Sequence, residues 1–166
     1  LANFVIENRI SLDDNINTYL KLPFKDNQEI TFRKLANHTS GLPRLPTNLN
    51  LLAVNPNNPY EKYGENKLKE YLTKELELTK KNDNKYEYSN LGVGLLGYTL
   101  SHIAKKSYEE LLQVTIFTKY GMTSTTTERN QIEPLLIKGQ NPDGEITQNW
   151  DLNVLAGAGA ILSSTE

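Results

Sequence analysis

The sequence of 166 residues contains no cysteine, one methionine and one tryptophan. The lack of cysteine excludes disulfide bonds, thiolate metal sites and a cysteine nucleophile, and it leaves the cellular compartment open. No apolar run approaches the roughly 18 residues of a membrane-spanning helix. Lys and Arg number 18 against 20 Asp and Glu, and they form no dense basic patch. We therefore expect no nucleic acid partner and no transmembrane segment.

Charge and composition give the chain no internal boundary. The densest basic stretch, Lys80, Lys81 and Lys85, is broken by Asn and Asp residues, which is typical of a solvated loop. The apolar residues concentrate at 91–117 and 150–162, and no composition break marks a linker. The length suits one domain. We expect a single partial domain over residues 1–166.

Both ends of the sequence look internal to a larger protein. Residues 1–10 have neither an initiator Met nor the layout of a signal peptide, and they resemble the last turns of a helix. Residues 163–166 resemble the start of another helix, with hydroxyl residues for a cap and a carboxylate behind them. We therefore expect an internal fragment of a longer chain.

Capping residues predict helices across much of the sequence. Thr31, Ser89 or Asn90, and Ser107 precede segments with helical spacing, and Gly121 suits a helix end. The predicted helices cover 32–37, 91–104 and 108–117.

Strand signals are weaker than helix signals. Tyr86-Glu87-Tyr88 alternates like a short strand. Residues 135–137 and 145–147 flank the turn pair Asp143-Gly144 and predict a small hairpin near residues 135–148. Residues 42–65 carry four prolines with little periodicity, which predicts a long surface excursion. Such excursions often rim functional sites.

The glycines Gly92, Gly94 and Gly97 satisfy the dinucleotide-binding string G-x-G-x-x-G. That motif needs a buried strand before it and an acidic residue ending a second strand, whereas the preceding segment here is short and polar. We interpret the glycines as allowing another element to pack closely against the helix. Nucleotide binding stays an alternative that titration with NAD would test.

Histidines and carboxylates form no obvious metal site or acid–base pair. His38 and His102 are far apart in the sequence and lack partners at ligand spacing. We expect a structural hydrogen bond from His38 and a polar helix face for His102. The adjacent pairs Asp13-Asp14 and Glu109-Glu110 diverge on a helix, so capping and solvation explain them better than catalysis. We expect no metal and no cofactor.

The most informative triplet is Tyr88-Ser89-Asn90, directly before the most apolar predicted helix. A tyrosine and an asparagine two residues apart at a helix entry can present a phenol and a carboxamide to one side, near the positive helix N-terminus. Taken alone, the triplet is a helix cap with an exposed tyrosine.

Around this triplet, the order of segments resembles the class C β-lactamase and penicillin-binding protein superfamily. The resemblance covers essentially the whole chain and is carried jointly by its segments. In order these are SLDD at 11–14, ITFRKL at 30–35, HTSGLP at 38–43, YSN at 88–90, GLLG at 94–97, SYEE at 107–110, GMT at 121–123, AGAG at 156–159 and SST at 163–165.

The resemblance implies an α+β β-lactamase/transpeptidase-like fold, of which this piece is the mostly helical part. It makes Tyr88 the proton-handling catalytic phenol and Asn90 the residue that holds the substrate's amide. In that family a serine of an S-x-x-K motif attacks the carbonyl, and a late K-T-G type motif completes the site.

Two of these three catalytic elements are missing from the sequence. No S-x-x-K occurs; Thr31-Phe32-Arg33-Lys34 has the spacing but Thr in place of Ser, and K-T-G is absent. The family places its serine a couple of helical turns before Leu1. Smaller departures are Ala160 for a common Gly and Lys119-Tyr120 for a common Pro-Leu. We therefore expect the isolated chain to be inactive.

The resemblance implies a parent serine hydrolase that transfers or hydrolyses acyl groups of β-lactams, D-alanyl peptides or related amides and esters. The alternative is a non-catalytic module that binds peptidoglycan-like peptides. The family also implies a bacterial protein that is periplasmic or secreted. Pocket residues partly outside this piece decide between β-lactamase, carboxypeptidase and esterase.

Overall fold

The computed structural model describes residues 1–79 and 85–165. This part is mostly helical, with one small antiparallel sheet. The α-helices are α1 (Ala2–Ile6), α2 (Ile16–Leu20), α3 (Phe32–Ala36), α4 (Glu65–Glu70), α5 (Asn90–Ala104), α6 (Tyr108–Leu112) and α7 (Arg129–Ile132). Three 3-10 helices cover Lys25–Asn27, Glu133–Leu135 and Asn153–Ala158.

Helix α5 is the centre around which the other helices pack. It begins after Ser89 and ends at Lys105, whose left-handed conformation (φ 54°) stops the helix. Leu91 and Leu95 are fully buried on it. It contacts α2, α3, α6 and, most extensively, the 3-10 helix Asn153–Ala158. Burial of this apolar helix therefore organises the core.

The predicted caps are confirmed at three helices. The Thr31 hydroxyl accepts from the Lys34 amide at 3.3 Å, and Ser89 caps α5. Ser107 forms a reciprocal capping box with Glu110. After Leu112 the predicted helix continues as a π-helical turn, Gln113–Phe117. Gly121 has a φ of 65°, which suits the glycine predicted to end this segment.

The hairpin is confirmed, but its first strand lies further along the chain than predicted. Strands β1 (Gly139–Gln140) and β2 (Ile146–Thr147) pair antiparallel, with Gly139 opposite Thr147. Residues 135–137 are not in the sheet, and Leu135 ends the 3-10 helix Glu133–Leu135. The apolar run was therefore misread, because Leu135 and Ile137 are exposed rather than half-buried strand residues.

Two further predictions need correction. Residues 86–88 form no strand; the Glu87 amide donates to the His38 carbonyl at 2.8 Å. Residues 163–165 are not helical, while Glu166 lies outside the described residues. Lys80 and Lys81 of the basic stretch also lie outside them.

The excursion over residues 42–65 contains turns, with no helix before Glu65. The excursion lies less at the protein surface than predicted, because Leu42, Tyr60 and Tyr63 are buried in the core. Across the two described ranges, every helix falls short of the length and apolarity needed to cross a bilayer.

Candidate functional site

Ser89 fixes the triplet at the start of α5. Its side chain is buried, accepts from the Gly92 amide at 2.9 Å and donates to the Pro43 carbonyl at 2.7 Å. Its backbone amide donates to His38 Nδ1 at 3.2 Å. These bonds tie the helix entry to the turn at residues 38–43. Tyr88 and Asn90 are therefore set on either side of an anchored residue.

His38 has the structural role that the sequence predicted. Its backbone lies in the left-handed region (φ 58°), and its Nδ1 accepts the Ser89 amide. An accepting Nδ1 leaves the ring proton of neutral imidazole on Nε2. The His38 carbonyl accepts from the Glu87 amide. His38 thus holds the chain on both sides of Tyr88, through its ring at Ser89 and through its backbone carbonyl at Glu87.

Tyr88 lies against His38 with its face open to solvent. The two ring centroids are 4.7 Å apart with the planes tilted by 38°. The Arg44 guanidinium lies 5.9 Å from the Tyr88 ring centroid, within the range of a cation–π interaction. Because 47% of Tyr88 is exposed, the phenol is accessible to a reactant, and Arg44 brings a positive charge close to it.

Asn90 lies at the wall of a cavity of about 200 Å³, here called the Asn90 cavity. Its other lining residues are mostly apolar: Tyr60, Trp150, Leu152, Leu155, Ala158 and Gly159. The Tyr60 and Trp150 rings meet at 5.5 Å between centroids. The cavity therefore combines a carboxamide with an aromatic wall, a pairing that suits a ligand with an amide beside an apolar group.

The structure brings Tyr88 and Asn90 to the same helix entry, but Tyr88 does not line the Asn90 cavity. Sequence reasoning also missed Tyr60 and Trp150. Its one hint was that long excursions such as residues 42–65 often rim functional sites, and Tyr60 of this excursion lines the Asn90 cavity. Trp150 carried no local signal beyond being the single tryptophan.

The glycine string serves helix packing, as interpreted from the sequence. A Cβ at Gly94 would come within 2.8 Å of Leu155 Cδ2, and one at Gly97 would come within 2.9 Å of Gly157 Cα. These contacts leave room only for hydrogen at both positions. The glycines therefore let the 3-10 helix Asn153–Ala158 lie directly on α5, beside the Asn90 cavity.

The adjacent carboxylates are structural, but Glu109 is not solvated as predicted. It is buried and accepts from the Thr127 amide at 2.6 Å and from the Thr127 and Thr126 hydroxyls. Burial raises the pKa of the Glu109 carboxyl, but these bonds and one from Gln113 outweigh it and hold the pKa below its usual value. Glu109 therefore ties α6 to the segment before α7.

The other predicted carboxylates have structural partners, and His102 faces solvent. Asp13 pairs with Arg33, and Asp14 accepts from the Ser11 amide and the Tyr19 hydroxyl. His102 is exposed on α5. Within residues 1–79 and 85–165, no three His, Cys, Asp or Glu side chains are grouped to hold a metal ion.

Comparison with known proteins places the chain in one family. The sequence profile of the Beta-lactamase family matches residues 1–165. Beta-lactamase-like protein 2 of Dictyostelium discoideum is 30% identical over 135 residues, which are 78% of this chain and 24% of that protein. The chain thus spans less than a quarter of this curated relative.

Solved structures share the fold over nearly the entire chain. A β-lactamase/D-alanine carboxypeptidase from Yersinia pestis aligns with a TM-score of 0.71 and 26% identity, over 98% of this chain and 45% of that one. A class C β-lactamase from Rhodobacter sphaeroides aligns at 0.72 with 21% identity, over 97% and 43%. The chain therefore has the β-lactamase/transpeptidase-like fold, and it belongs to the Beta-lactamase family.

Proposed function

We propose that this chain supplies the Tyr88 and Asn90 part of the active site of a serine hydrolase that transfers acyl groups. Asn90 holds the amide of the substrate's acyl side chain, and Tyr88 handles the proton. The substrate class is a β-lactam, a D-alanyl peptide or a related amide or ester. The D-alanine carboxypeptidase name of the Yersinia pestis protein supports this class.

The observation that carries the proposal is the placement of Asn90 on its cavity. A carboxamide can both donate to a carbonyl and accept from an amide N–H, so Asn90 matches a secondary amide in both directions. The aromatic wall of Tyr60 and Trp150 stands next to it. A ligand with an amide and an adjoining apolar group therefore satisfies the polar and apolar parts of the cavity together.

Tyr88 adds a proton carrier at the same helix entry. In the proposed reaction, the serine oxygen of an S-x-x-K motif bonds to the substrate carbonyl carbon, and its proton passes to the phenolic oxygen of Tyr88. The phenol gives up its own proton to the leaving group as the bond from that group to carbon breaks, and water later releases the acyl group from serine by the same proton relay in reverse. The Arg44 guanidinium lies 5.9 Å from the Tyr88 ring centroid and so places a positive charge beside the proposed proton carrier.

The 166 residues contain neither an S-x-x-K nor a K-T-G type motif. The proposal therefore makes the chain one part of a larger catalytic domain whose nucleophile lies outside it. By itself the chain binds such ligands without turnover. A bacterial parent in an exported location, periplasmic or secreted, belongs to the same proposal.

A non-catalytic module that binds peptidoglycan-like peptides is the second candidate, because the same missing motifs favour binding without chemistry. The two candidates predict the same behaviour for the isolated chain. They differ when the parent protein is tested, because only an enzyme is acylated and then turns over.

The test is a titration with benzylpenicillin that follows the fluorescence of Trp150, the single tryptophan. We expect saturable quenching and roughly tenfold weaker binding for Asn90→Ala, because one hydrogen bond contributes about 1–1.5 kcal/mol. Asn130→Ala is the matched control, since Asn130 lines the neighbouring cavity and is exposed. Equal affinities of wild type and Asn90→Ala would refute the role of Asn90.

A further inference from the structure

A buried asparagine connects the excursion over residues 42–65 to the segment before the 3-10 helix Asn153–Ala158. Asn58 is only 2% exposed. Its Nδ2 donates to Asp151 Oδ2 at 2.7 Å, and its Oδ1 accepts from the Asp151 amide at 2.8 Å. One side chain thus recognises both the backbone and the carboxylate of a residue 93 positions away.

Three more contacts extend this connection. Arg129 Nη2 lies 3.1 Å from Asp151 Oδ2, and Arg129 Nη1 donates to the Asn149 carbonyl at 2.8 Å. Asn153 Nδ2 donates to the Glu61 carbonyl at 3.1 Å. We call Asn58, Asp151 and Arg129 the clasp. The guanidinium balances the carboxylate charge, so the clasp joins two chain segments without leaving that charge unpaired.

The clasp lies directly beside the aromatic wall of the Asn90 cavity. Tyr60 follows Asn58 by two residues, and Trp150 precedes Asp151. Residues 42–64 have neither a helix nor a strand ladder to fix them. Turn bonds and the burial of Tyr60 hold this segment locally, and the clasp adds the bonds that join it to the residue after Trp150.

We propose that Asn58 and Asp151 are positioning residues that lock the Tyr60–Trp150 wall against Asn90. This inference rests on the proposed function, because the wall matters only if the Asn90 cavity binds the substrate. Neither residue lines that cavity. They act through the two aromatic rings, and the clasp sets the width of the cavity between those rings and the carboxamide.

The test breaks the clasp by two different chemical changes. N58D replaces the Nδ2 donor by an oxygen that faces the Asp151 carboxylate, so the wall is released. N58S shortens the side chain so that it no longer reaches both the carboxylate and the amide of Asp151, and it adds no charge. N57D is the matched control, since Asn57 is the exposed neighbour and carries the same substitution.

Trp150 reports the result through its iodide quenching constant. Because 55% of Trp150 is already exposed, release of the wall raises the constant by up to about twofold in N58D. The constant also rises in N58S and does not change in N57D. Far-UV circular dichroism establishes that each variant is folded.

A folded N58D or a folded N58S that quenches like wild type overturns the proposal. If N58D unfolds, N58S alone decides. Benzylpenicillin affinity, measured on the same proteins, separates the positioning role of the clasp from the proposed function. If the quenching constant rises when the clasp is broken but the wild-type protein binds no benzylpenicillin, the clasp is supported as a positioning device and the proposed function is refuted.

Discussion

Replacing Gly157 by alanine tests whether the contact between α5 and the 3-10 helix Asn153–Ala158 has room for a methyl group. A Cβ at Gly157 would stand 2.5 Å from the Val93 carbonyl oxygen and 3.1 Å from Gly97 Cα. Ordinary contact begins at 3.4 Å, so the first distance falls short by about 0.9 Å. Both opposing atoms belong to the backbone and cannot rotate away.

The cost therefore lies toward the upper end of overpacking, about 3 kcal/mol. Gly94→Ala provides a graded comparison, because its new methyl group meets the flexible Leu155 side chain at 2.8 Å. Alanine also gains up to about 1 kcal/mol of helix propensity inside α5. We expect a net loss of about 1 kcal/mol or less for Gly94→Ala.

Urea unfolding with linear extrapolation measures these free energies of unfolding, and an unchanged m value shows that the comparison is valid. Gly64→Ala is the control for space, since no atom lies within 4 Å of its Cβ and its φ is −93°; as the N-cap of α4 it should lose only the preference of that position for Gly over Ala, under about 1 kcal/mol. A Gly157→Ala protein within about 0.5 kcal/mol of wild type would refute the close-packing account of the glycines.

Two other substitutions test contacts around the site. Glu109→Gln should lower the free energy of unfolding by about 2 kcal/mol at pH 7, because an NH₂ group replaces an oxygen that accepts charge-assisted hydrogen bonds. The pKa of the Glu109 carboxyl is lowered from 4.5 in the folded state, so its stabilisation is complete above that value and is lost as the pH falls through the folded-state pKa. The difference between wild type and Glu109→Gln should therefore shrink below about pH 4.5, and a constant difference would contradict this. Ser89→Ala should cost about 2 kcal/mol in urea unfolding, since it removes a helix cap and leaves the half-buried Pro43 carbonyl without its donor; a cost under 0.5 kcal/mol would show that other contacts hold the helix entry.

Helix caps and turns were predictable from the sequence because their partners lie within a few residues of each other. Thr31 and Ser107 each cap a helix through an amide three positions ahead, so the sequence alone contained both partners. The turn at Asp143-Gly144 was equally local, and Gly144 has the positive φ of 81° expected of it. The roles of Tyr88 and Asn90 came only from the family resemblance, and they stay predictions.

Contacts between distant segments were not predictable. The first strand of the hairpin was misplaced because Asn149, ten residues beyond Gly139, accepts the Gly139 amide at 3.2 Å and donates to the Ile137 carbonyl at 3.1 Å. Tyr60 and Trp150 meet beside the Asn58–Asp151 bonds, which join residues 93 positions apart. No periodicity or spacing in one sequence encodes such a pairing.

Native mass spectrometry of the chain with benzylpenicillin tests the central claim most directly. The account predicts a complex with one ligand per chain that dissociates completely under denaturing conditions, because Asn90 and its cavity bind while the nucleophile lies outside the 166 residues. An adduct that survives denaturation would place a nucleophile within this chain. The absence of any complex would show that the Asn90 cavity does not bind this class of ligand, and either result would contradict the account.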